Sequence, residues 1–92
     1  MDQLREVDSV QPERQLMALD PQLVALVAGQ LGISTAGVRS RSRLAEDLGA
    51  AEADLTEILL EVEEMYGITI SDAEADRIRT VADLSAVIAG KR

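Results

Sequence analysis

The sequence predicts an all-α domain: a four-helix bundle with three main helices, one short helix, and a long loop between helices one and two. Three observations predict it. Apolar side chains recur at helical spacing between recognisable cap residues. No segment alternates apolar and polar residues at the period of a strand. The hydrophobic content, 47% of 92 residues, is almost entirely Ala, Leu, Val and Ile, with a single Tyr as the only aromatic. Leu and Ala lose little rotamer freedom in helices and favour helix-on-helix packing.

The elements follow in chain order. Residues 1–19 have weak periodicity and mixed charge, with Pro12 in the middle, and read as an N-terminal extension, flexible or partly helical around Leu16, Met17 and Leu19. Residues 20–92 form the helical domain. Asp20-Pro21 opens helix one, an N-cap oxygen followed by the residue whose missing N–H is harmless at the first helical position. Leu23, Leu26, Val27 and Leu31 make one apolar stripe, and Gly32 supplies the left-handed position that ends it. Residues 33–51 read as a loop anchored by Ile33, Val38, Leu44 and Leu48, and carry Arg39, Arg41 and Arg43. Helix two is expected from Glu52 to Tyr66, with Leu55, Ile58, Leu59, Val62 and Tyr66 on its buried face, stopping at Gly67. Ser71-Asp72 starts a single turn through Ala75. Thr80 and Asp83 approximate a capping box for the last helix, which carries Val81, Leu84, Val87 and Ile88 and is expected to close at Gly90.

Composition removes whole classes of function. With no Cys and no His there is no disulfide, no thiol chemistry, no imidazole metal site and no catalytic triad. Nine basic against 17 acidic residues give a formal charge of −8, which repels nucleic-acid phosphates and anionic membranes, and one aromatic makes no base-stacking platform. No apolar run approaches membrane-span length, and Asp2 and Glu6 stand where a signal peptide needs positive charge. A cytoplasmic domain that is not an enzyme, with no nucleic-acid or membrane partner, is the expectation.

Four strings then carry a resemblance. Gln30-Leu31-Gly32 closes helix one, Glu46-Asp47-Leu48-Gly49-Ala50 ends the loop, Glu63-Glu64-Met65-Tyr66-Gly67-Ile68 ends helix two, and Thr80-Val81-Ala82-Asp83 opens the last helix. In these strings and their spacing the chain resembles acyl carrier proteins, and the match runs without a gap from Leu23 to Ile88. The resemblance implies a small acidic four-helix bundle whose family carries acyl groups on a phosphopantetheine arm. That arm is joined to a serine in an Asp-Ser-Leu string at the start of helix two. Here those positions read Ala51-Glu52-Ala53, so Glu52 occupies the serine position and phosphopantetheine is not attachable there.

The resemblance also implies docking through helix two. Eleven acidic residues and no Lys or Arg lie between Leu44 and Asp76, a stretch of −11, while the rest of the chain sums to +3. Partner binding is therefore assigned to Glu52, Asp54, Thr56, Glu57, Leu60, Glu61 and Glu64, facing the basic surface of an acyl- or aminoacyl-processing enzyme. Glu52 also reads simply as a first-turn acid favoured by the helix dipole. Arg39, Arg41 and Arg43 read either as local partners of Glu46 and Asp47 or as a second docking or self-association surface. Asp72, Glu74, Asp76 and Asp83 fall at calcium-loop spacing, but Arg77 stands at the required glycine, so no metal site is expected. Leu59, Val62, Tyr66, Ile70, Ala75, Ile78 and Leu84 line the space between helices two, three and four, either as plain core or as a pocket for a free fatty acid. The function expected is a non-catalytic, carrier-like interaction module. The alternative is a working carrier of fatty-acid or polyketide synthesis, with attachment by another route or a serine removed by engineering.

Overall fold

The computed structural model of the chain describes residues 19–91. The N-terminal extension, Leu19 apart, lies outside the described residues, as does Arg92. Leu19 itself packs against the core. Four α-helices follow: α1 (Pro21–Leu31), α2 (Glu52–Tyr66), α3 (Asp72–Asp76) and α4 (Val81–Lys91). Among the described residues there is no strand, only an isolated antiparallel bridge between Arg43 and Thr80. No helix among them is long and apolar enough to cross a membrane.

Local chemistry sets most of the boundaries. Asp20 caps α1, its Oδ1 accepting from the Gln22 amide at 3.0 Å, and Gly32 ends it at φ 68°. Gly67 ends α2 at φ 66°, a left-handed conformation that would strain a side-chain-bearing residue. Ser71 and Glu74 form a reciprocal capping box on α3, which runs one residue beyond the expected Ala75. The expected Thr80–Asp83 box is present on α4: Thr80 Oγ1 accepts from the Asp83 amide, and Asp83 Oδ2 accepts from the amides of Thr80 and Arg79.

The end of α4 differs from expectation. Gly90 does not close the helix, which continues to Lys91. Gly90 has no left-handed φ, and Lys91 Nζ reaches Glu74 Oε1 of α3 at 2.9 Å, tying down the last turn. The loop also holds an unexpected 3-10 turn, Thr35–Gly37, started by Ser34, whose Oγ accepts from the Ala36 amide.

One aliphatic core joins these pieces. Leu23, Val27, Ile58, Val62, Val81 and Leu84 are its most deeply buried large side chains. Val38, Leu44 and Ala50 bury themselves from the loop, while Ile33 and Leu48 pack at its edge. The Tyr66 hydroxyl donates to Asp20 Oδ2 at 2.7 Å, placing the end of α2 beside the start of α1.

Candidate functional site

The start of α2 is positioned by the loop before it. Leu44 is 2% exposed, and backbone bonds from Asp47 and Leu48 to Arg43, and from Ala50 to Leu44, fold residues 43–50 onto that anchor. Ala50 is buried in turn, so the next residues emerge at the surface and Glu52 becomes the exposed first residue of α2. Ala51, at the N-cap, has no side-chain oxygen, and the cap is one-sided: Asp54 Oδ2 accepts from the Ala51 amide at 2.9 Å.

Beyond this start α2 divides into faces. Ile58 and Val62 are buried, flanked by Leu55, Leu59 and Tyr66. Ala53, Glu57, Leu60 and Glu64, at i, i+4, i+7 and i+11, share the outward stripe. Leu60 is 50% exposed there, amid carboxylates. Glu61 turns toward α1. With Glu64 and Met65 it lines an open groove of about 680 Å³, whose other wall is Gln22, Ala25 and Leu26 of α1.

The seven residues assigned to docking therefore do not act alike. Glu52, Glu57, Leu60 and Glu64 are exposed along one helix, and Glu61 joins them at the groove. Asp54 is half-buried and engaged with its own backbone. The Thr56 hydroxyl is exposed but donates back to the Glu52 carbonyl at 3.2 Å. Met65, 46% exposed, was absent from the sequence-based set. It sits at the edge of the apolar stripe, where periodicity does not separate core from rim.

Other acids are held by local partners. Glu63 Oε2 accepts from the Ile70 amide at 2.8 Å, fastening the link after α2. Ser71's amide, and then Lys91, hold the Glu74 carboxyl down to about 2. Asp83 is lowered by the amides of Arg79 and Thr80. Asp47 is lowered by its hydrogen bonds with Arg43, whose guanidinium it meets through both oxygens at 3.2 Å. Among the described residues no three acids gather into a metal-holding group.

The space between α2, α3 and α4 is filled. It leaves a cavity of about 30 Å³ lined by Leu44, Leu55, Ile58, Leu59, Ala75, Ile78 and Leu84. Four of these were expected, whereas Val62, Tyr66 and Ile70 do not line it. That volume is roughly one water's share of the liquid. A fatty acid would have to force the helices apart.

Against this geometry stand the relatives. Residues 21–88 match the family described as phosphopantetheine attachment site. The chain belongs to the acyl carrier protein family. It is 38% identical over 68 residues to the acyl carrier protein of Chlamydia muridarum, covering 74% of this chain and 88% of that one. It is 37% identical over 76 residues to that of Nitratidesulfovibrio vulgaris, covering 83% of this chain and all of the relative. Solidesulfovibrio magneticus has an acyl carrier protein 34% identical over 76 residues, covering 83% and 97%. The family is one of carriers, not catalysts, and the described residues of this chain are all-α.

The family's prosthetic group is phosphopantetheine, and the residues at the start of α2 do not fit it. A phosphodiester needs a hydroxyl oxygen, and the first turn offers Glu52, Ala53 and Asp54. Thr56 is the nearest hydroxyl along α2 and is turned onto the helix backbone. In the loop, Ser42 Oγ accepts from the Arg39 amide.

Proposed function

We propose that this chain is a non-catalytic interaction module of the acyl carrier protein family. It works without a phosphopantetheine arm and docks acidic α2 onto a basic surface of an enzyme of acyl or aminoacyl metabolism. The observation that carries this reading is Glu52 as the exposed first residue of α2, where the family resemblance puts the attachment serine. A carboxylate does not form the phosphodiester. The surface around it still suits docking, with Glu57, Glu61 and Glu64 supplying charge and Leu60 an apolar contact at the centre.

The second reading, a working carrier, draws on the family match over residues 21–88. Incubation with coenzyme A and a broad-specificity phosphopantetheinyl transferase, followed by intact mass, separates the two. The chain should stay unmodified and Glu52→Ser should gain one arm. A wild-type chain that gains the arm overturns the proposal.

A further inference from the structure

Two sets of opposite charge in this chain make no ion pair with each other among the described residues. Arg39 and Arg41 are both exposed, and neither guanidinium has an ion pair among the described residues. A tight turn gathers them: the Ser42 amide donates to the Arg39 carbonyl, and Ser42 Oγ accepts from the Arg39 amide, each at 3.0 Å. The turn is fixed against the start of α4 by bonds from Val81 to Ser42 and from Ala82 to Ser40. Exposed Arg79 adjoins it, its carbonyl accepting from the Leu44 amide. On α2, Glu52, Glu57, Glu61 and Glu64 make no ion pair among the described residues.

We infer that the arginine turn of one copy docks on the outer acidic face of α2 of a second copy. Both surfaces belong to the same chain, so a complementary partner is present wherever the chain is. The contact joins two different patches and is head-to-tail, able to repeat along a chain of copies. The net charge of −8 does not forbid it. At physiological salt the Debye length is about 8 Å, whereas the centres of two touching domains of this size lie more than about 20 Å apart. Net repulsion is thus largely screened, while pairs partly buried in the contact are screened less.

This association shares the α2 face with partner docking and is told apart from it by the arginines, which it alone needs. The test is sedimentation velocity of the full chain from micromolar to millimolar concentration at about 0.15 M salt. The wild type should associate as concentration rises. Arg39→Glu with Arg41→Glu, and separately Glu57→Arg with Glu61→Arg, should each weaken association by more than about tenfold while keeping wild-type helical circular dichroism. Mixing the two variants should restore association, since the native turn of one meets the native α2 face of the other. A wild type that stays monomeric throughout, or association that neither variant weakens, overturns the inference.

Discussion

Ala51 is a weak point at the residue scale. Its position calls for a side-chain oxygen to meet the free amides of the first turn of α2, and its methyl group has none. Asp54 meets the Ala51 amide, but nothing caps in the other direction. Ala51→Asn should therefore raise stability by about 1 kcal/mol, read as a higher urea midpoint at unchanged slope. The reading of Glu52 at the serine position rests on the identity of one residue in the register that the family resemblance implies. The inward turn of the Thr56 hydroxyl and the engagement of Asp54 were not legible in the sequence, because they depend on side-chain rotamers.

At the scale of elements, the caps of the α-helices were legible where they close within four residues, whereas the Ser34 cap of the 3-10 turn was not. Asp20-Pro21, Gly32, Gly67 and the Thr80–Asp83 box all hold. Gly90 does not end α4, which runs on through Lys91; Lys91 also meets Glu74 of α3, a contact between helices that no local rule contains. Glu74 gives α3 a pH dependence. The Glu74 carboxyl is held from its ordinary 4.5 down to about 2, by the Ser71 amide first and Lys91 second. The unfolded chain binds that proton at the higher pH, so the contribution of Glu74 is complete above about pH 4.5 and is lost as pH falls toward 2. The wild type should melt above Glu74→Ala at pH 7, with the gap closing through this window in thermal melts. A gap constant with pH would remove the assigned cause.

For the molecule as a whole, the charge pattern sorts surfaces more than it stabilises them. The Arg43–Asp47 pair has side chains 57% and 42% exposed, which makes it a fastener of the loop rather than a source of much stability. The α1–α2 groove with Met65 at its edge was not legible from sequence, since it arises from how two helices lie together. The −11 stretch was legible, and of the α2 carboxylates Glu52, Glu57 and Glu64 are exposed while Asp54 and Glu63 hold backbone amides. Glu57→Lys with Glu61→Lys should abolish capture of whatever enzyme the wild-type chain binds in its own cells, while the thermal midpoint shifts by no more than about 1 kcal/mol equivalent. Unchanged capture would remove α2 as the docking surface.

The central claim is that this member of a carrier family carries nothing covalently. The most direct measurement is the intact mass of the chain purified from cells that make it naturally. The expected result is the mass of the bare polypeptide; a population heavier by one phosphopantetheine, at any residue, would contradict the claim.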